Sequence, residues 1–126
     1  MNKILVEIDL DNHSSKIISK NNIGLYDLIN LITNYFKISF DEIKSSEKLS
    51  KKNHYLERRI LCYYIKLYFK LSYPVIADLL NYERHESVIA AINKINHMLY
   101  IKEDKIYLHH INNINKILNE YNIDNL

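Results

Sequence analysis

The stretch Ser72-Tyr-Pro-Val-Ile-Ala-Asp-Leu-Leu-Asn-Tyr-Glu-Arg-His-Glu-Ser-Val-Ile-Ala-Ala91 decides the fold. Ser72 supplies an N-cap hydroxyl, and Pro74 stands in the first turn, where a helix tolerates a missing N–H. Ile76, Leu79 and Leu80 would face inward, Asn81-Tyr82 would break the helix, and a second helix should begin near His85 with a polar first turn. Helix, tight turn, helix is the grammar of a helix-turn-helix. In that motif the second helix lies in the major groove of DNA and its first residues meet base edges, which would put Arg84, His85, Glu86 and Ser87 at the reading end.

The rest of the chain must supply a core for this unit. With 126 residues and 48% hydrophobic content, one compact domain is expected. The lone Cys62 rules out an intramolecular disulfide and a thiolate metal site, and between Leu61 and Tyr63 it reads as a packed thiol. The opening apolar run is broken by Glu7 and Asp9, too short for a secretory signal, and no segment approaches the ~20 apolar residues of a membrane span. The chain should therefore stay in the cytoplasm where it is made, that of a bacterial cell or of a host.

Net charge is only +2, but it is unevenly placed. Residues 44–70 carry Lys44, Lys48, Lys51, Lys52, Arg58, Arg59, Lys66 and Lys70 against Glu47 and Glu57 alone, while the segments on either side are slightly acidic. A basic block just ahead of a helix-turn-helix is what a phosphate backbone calls for, although a solvated helix face would look the same. Should this block lie beside DNA, Arg58, Arg59, Lys51 and Lys52 would be its phosphate contacts.

Read in order, residues 3–10 alternate like a strand, and Ser15 to Ser19 could return as a second one across the turn Asp11-Asn12-His13-Ser14. An isolated two-stranded ribbon is unstable in water, so it should pack on the helices or pair with a second copy in a homodimer. After Gly24 everything reads as helical. Leu25, Leu28, Ile29, Ile32, Tyr35 and Phe36 recur at helical spacing, and Ser39 could cap a short turn through Asp41, Glu42 and Ile43. A lysine-rich loop runs from Lys44 to Asn53. A long helix from Leu56 to Leu71 should bury Ile60, Tyr63, Tyr64, Leu67, Tyr68 and Leu71. The recognition helix, from about His85 to Tyr100, should bury Val88, Ile89, Ala91, Ile92, Ile95 and Leu99, and a last helix Ile106, Leu108, Ile111, Ile114, Ile117 and Leu118. The expected architecture is mainly α, a helical bundle with a helix-turn-helix plus a short N-terminal β-ribbon. Residues 1–22 form the ribbon extension, 23–121 the domain, and 122–126 a frayed tail.

From Leu28 to about Leu118 the chain resembles the C-terminal DNA-binding domain of the bacterial replication initiator DnaA, which has a Trp-repressor-like helix-turn-helix. The family's Tyr-Tyr/Phe-x-Ile-x-x-x-Asp/Glu-Leu/Ile element is here Tyr35-Phe36-Lys37-Ile38 through Glu42-Ile43. Its signature Ser-Leu-x-x-Ile-Gly-x-x-Phe-Gly-Gly-Arg-Asp-His-Thr-Thr-Val-x-x-Ala aligns without a gap on Ser72, Tyr73, Ile76, Ala77, Leu80, Asn81, Tyr82, Glu83, Arg84, His85, Glu86, Ser87, Val88 and Ala91. The resemblance implies binding of double-stranded DNA. His85 and Ser87 match positions that reach bases, Ser72, Pro74, Arg58 and Lys66 match positions at or near the backbone, and Lys48, Lys51 and Lys52 lie in the loop that sends a basic residue into the minor groove. The departures fall where specificity is decided. The family's Arg-Asp before the histidine is Glu83-Arg84, which removes the expected N-cap, and its first threonine is Glu86. A glutamate there accepts from cytosine but repels phosphate, so the family's usual DNA box is not the expected target.

A full initiator also carries an ATPase domain with a phosphate-binding loop, which the single glycine of this sequence cannot build. A stand-alone module without a nucleotide cofactor is therefore expected. No catalytic or metal site is expected either, because no two of the six histidines stand four apart and His109-His110 point to different sides of a helix. Two functions fit: a small duplex-binding regulator of transcription or replication, or a protein-interaction module on a helix-turn-helix scaffold that no longer binds DNA.

Overall fold

The computed structural model describes residues 23–45 and 54–124, with side chains as far as Tyr121. Among the described residues the chain is six helices: α1 (Leu25–Phe36), α2 (Phe40–Lys44), α3 (Tyr55–Phe69), α4 (Tyr73–Leu80), α5 (His85–Ile101) and α6 (Lys105–Asp124). The proposed N-terminal ribbon, its homodimer and the loop lysines Lys48, Lys51 and Lys52 lie outside the described residues. Helix α6 runs to Asp124, past Tyr121, where the tail was expected to fray.

Local chemistry explains most boundaries. The Ser39 hydroxyl accepts from the Glu42 N–H at 3.1 Å and donates to the Glu42 carboxylate at 3.1 Å, an N-cap that starts α2. Asp104 starts α6 by accepting from the N–H groups of Ile106 and Tyr107 at 3.1 and 3.4 Å. Helices α1, α3, α4 and α5 end on the left-handed residues Lys37, Lys70, Asn81 and Lys102, with φ between 52 and 61°. This nearly glycine-free chain accepts about 1 kcal/mol of backbone strain at each lysine so placed. Burying a single leucine or isoleucine is worth about 1.5–3 kcal/mol, so the core outweighs that cost many times over.

Helix α3 is the central strut, packed on α1, α2, α4 and α5, while α6 lies against α1 and α5. Its buried face differs from the expected one. Leu61, Ile65 and Phe69 are fully buried with Ile60 and Tyr64, whereas Leu67 is 48% exposed. Tyr63 and Tyr68 lie half-buried at the edges of this face, and the inward stripe runs through Leu61, Ile65 and Phe69 instead. In α6, Ile106 is likewise 61% exposed and Tyr107 takes the inward place, its hydroxyl accepting from Arg59 Nη1 at 3.1 Å. Ile111, Ile114 and Leu118 are buried as the spacing predicts. The Tyr64 hydroxyl ties α3 to α6 by donating to the Ile111 carbonyl at 3.2 Å and the Asn115 Oδ1 at 2.6 Å. Cys62 is a buried free thiol, raised to about 12 by burial, with Sγ 3.9 Å from the Val88 carbonyl of α5.

Candidate nucleic-acid interface

Helices α4 and α5 form the helix-turn-helix, with Ile76, Ala77 and Leu80 of the first packed into the core beside Val88, Ala91, Ile92 and Ile95 of the second. The Ser72 hydroxyl accepts from the Val75 N–H at 3.4 Å, with Pro74 in the first turn. The turn itself is closed by the Tyr82 N–H donating to the Ala77 carbonyl at 2.8 Å across the left-handed Asn81, and the Asn81 side chain donates to the Lys44 carbonyl at the end of α2 at 3.3 Å.

The start of α5 carries no side-chain cap; its N-cap residue is Arg84, in extended conformation. Arg84, His85, Glu86 and Ser87 are all exposed and crowd one helix end. Glu86 binds its neighbours, with Arg84 Nε at 3.4 Å from one carboxylate oxygen and His85 Nε2 at 3.6 Å from the other. Its carboxyl is held below the ordinary range, first by a hydrogen bond from its own backbone N–H and further by the charges of His85 and Arg84. Glu86 thus takes over part of what the missing cap would do, a carboxylate on the positive end of the helix.

Beside this end lies a cleft of about 350 Å³, whose lining includes Tyr55, Arg58, Arg59, Tyr82, Ser87 and Lys94. It brings Ser87 of the first turn of α5 together with three cations. Lys94 belongs to it without having been singled out in the sequence; the available signal was its place seven residues after Ser87, two turns along the same face. A second cleft of about 280 Å³ is lined by Pro74, Asp78, Glu83, Arg84, His85 and Glu86, three carboxylates among them. The start of α5 therefore stands between a cationic groove and a mixed, largely acidic one.

Three of the expected backbone contacts are occupied inside the fold. Lys66 Nζ donates to the Leu71 carbonyl at 2.7 Å and lies 4.4 Å over the Tyr73 ring, bracing the link between α3 and α4. Arg59 is half-buried on Tyr107 while still lining the cationic cleft. Arg58 is 9% exposed, with Nη1 on the carbonyls of Leu80 and Asn81, its guanidinium stacked on Tyr82, and its Nε without a hydrogen-bond partner among the described residues. The Arg58 side chain is thus turned mostly inward onto protein groups while it lines the cationic cleft with Arg59 and Lys94. Burial pushes the Tyr82 phenol above it up to about 12.

Among the described residues no three histidine, cysteine, aspartate or glutamate side chains are grouped to hold a metal ion, and no helix is long and apolar enough to cross a membrane. No curated protein matches the chain in sequence. A family model described as the bacterial dnaA protein helix-turn-helix matches residues 25–95, which spans α1 through to the middle of α5 and so takes in both clefts. By that match the chain belongs to the bacterial DnaA helix-turn-helix family, a family of DNA-binding domains.

Proposed function

We propose that this protein binds double-stranded DNA in a sequence-dependent way, as a small regulator of transcription or replication. The N-terminal turn of α5 enters the major groove, where Arg84, His85, Glu86 and Ser87 face base edges. Ser72 and Pro74 at the start of α4 approach one stretch of backbone, and Arg59 and Lys94 another; Lys48, Lys51 and Lys52 belong to the same electrostatic footprint. The observation that carries this reading is the exposed polar turn lying directly against a cationic cleft. The test is binding to random duplex followed across salt concentration. Affinity should fall steeply with salt, and Lys94→Ala or Arg59→Ala should each flatten the logarithmic slope by about 0.9 for a lost phosphate contact. An absence of binding at low salt overturns the reading.

The acidic cleft supports a second reading, in which the same surface docks another protein and Glu83 and Glu86 face it rather than DNA. Glu86→Ala separates the two. If Glu86 accepts from a cytosine amino group, its loss relaxes preference at one base position. If affinity instead rises on every sequence while His85→Ala and Ser87→Ala change nothing, the surface does not read DNA and the protein-docking reading takes the lead.

A further inference from the structure

Arg58 occupies the first turn of α3 in the middle of the basic block, yet it does not behave as a surface cation. Among the described residues no carboxylate pairs with it. A guanidinium taken out of water without a counter-ion is expensive and persists only where other groups offset the loss. Besides the Tyr55 ring, 5.8 Å from Cζ, the offset comes from three consecutive residues. Nη1 lies 3.4 Å from the carbonyl oxygens of both Leu80 and Asn81, at the negative end of α4, and Cζ lies 4.1 Å over the ring of Tyr82. Those three residues lead out of α4 into the turn toward α5.

We infer that Arg58 is the positioning residue of the recognition helix: it grips the α4–α5 turn and so sets the angle at which Arg84 to Ser87 are presented. This rests on the DNA-binding reading above. Apart from the turn, α5 is held mainly by Val88, Ala91, Ile92 and Ile95, whose apolar contacts are non-directional and allow a small rotation. Among the described residues the directional constraints are the Asn81 and Tyr82 N–H groups on the Asp78 and Ala77 carbonyls, the Asn81 amide on the Lys44 carbonyl, the Cys62 thiol on the Val88 carbonyl, and the grip of Arg58. Base-edge hydrogen bonds need side chains held within about half an ångström, whereas attraction to phosphate does not. Loosening the turn should therefore remove discrimination before it removes affinity.

Arg58→Met keeps a long buried side chain without the charge, Arg58→Lys keeps charge without the fork, and Tyr82→Leu removes the nearer of the two rings over the guanidinium without touching any cation. Each variant is first melted, and binding is measured where it is fully folded. For Arg58→Met, affinity for a duplex selected from a random pool should fall about tenfold or more, while affinity for random duplex stays within about twofold and the salt slope is unchanged. Arg58→Lys should not restore the preference, and Tyr82→Leu should reproduce part of the loss. Amide hydrogen exchange should quicken at residues 82–85 in Arg58→Met and stay as in the wild type along α6. A parallel fall on both duplexes with a slope flattened by about 0.9 would make Arg58 a phosphate ligand and overturn the inference, as would an unchanged preference. If the wild-type protein does not distinguish selected from random duplex, the DNA reading itself fails, and unchanged exchange at residues 82–85 would independently overturn the role of Arg58.

Discussion

Helices α4 and α5 are neighbours in sequence and in space, and they start in opposite ways. At α4, Ser72 turns its hydroxyl back onto the Val75 N–H, and Pro74 removes one of the donors that would otherwise need a partner. At α5 the N-cap is Arg84, which offers no acceptor; the Ser87 N–H reaches only the Arg84 carbonyl at 3.1 Å, and Glu86 covers its own N–H. The first start is closed by its own chain. The second leaves a positive helix end ringed by exposed polar side chains, the arrangement suited to a ligand that brings acceptors of its own. The two starts thus divide differently: α4 satisfies its first donors from its own chain, and α5 leaves most of its own to other groups.

The largest expected effect lies at the open start. His85→Ala and Ser87→Ala should each cost about 1–3 kcal/mol on a preferred duplex and much less on random DNA, because base contacts carry discrimination and phosphate contacts do not. Neither change should shift the melting temperature appreciably, since both side chains are exposed and cap nothing. Isothermal titration with selected and random duplexes, alongside thermal melts, checks both halves. A loss of equal size on both duplexes would show that the α5 start holds the backbone rather than reads bases.

A mirrored pair of substitutions should sharpen the contrast at about 1 kcal/mol. Ser72→Ala removes a cap and should destabilise the fold by about 1 kcal/mol, while Arg84→Ser installs an acceptor where there is none and should stabilise it by up to a similar amount. Arg84→Ser should at the same time weaken binding to the preferred duplex. Chemical denaturation with an unchanged m-value is the measurement. If Arg84→Ser leaves stability unchanged, Glu86 already saturates that helix end, and α5 is less open than its missing cap suggests.

How far these starts were legible in the sequence follows from the range of the interactions involved. Ser39, Ser72, Asn81 and the onset of α5 at His85 were readable because a cap or a left-handed residue acts within a few positions of itself. The bundle was readable for the same reason: helical periodicity is local. What the pattern could not choose was the inward stripe of α3, where leucine, isoleucine and tyrosine occur nearly all round and Leu67 and Leu61 satisfy the spacing equally well. Tyr107 displaced Ile106 because Arg59, on another helix, supplies a donor for its hydroxyl. Nothing local to Arg58 shows that its partners include carbonyls 22 and 23 residues away. Lys94 acquires its cationic surroundings from the arginines of α3 that the fold brings beside it, which its own neighbours in sequence do not show.

The smallest effect is expected at Glu86, where it separates capping from repulsion at the open start. Its folded pKa lies below the ordinary value of 4.5, with its own backbone N–H the largest cause. A carboxyl whose pKa is depressed on folding contributes stability that is present above its unfolded value and is lost as pH falls through the folded one. Glu86→Gln cannot titrate, so the wild-type protein should melt slightly above this variant near pH 6, and the gap should close as pH is lowered through the range below 4.5. The side chain is exposed, so solvent and salt weaken the attractions of Arg84 and His85, and raising salt should shrink their share of the gap. The part due to the backbone N–H is short-ranged and should survive. A gap that persists unchanged to pH 3 would show that the Glu86 carboxylate does not cap α5; a gap that vanishes in salt at pH 6 would leave only the surface ion pairs, and the start of α5 would then be open in full.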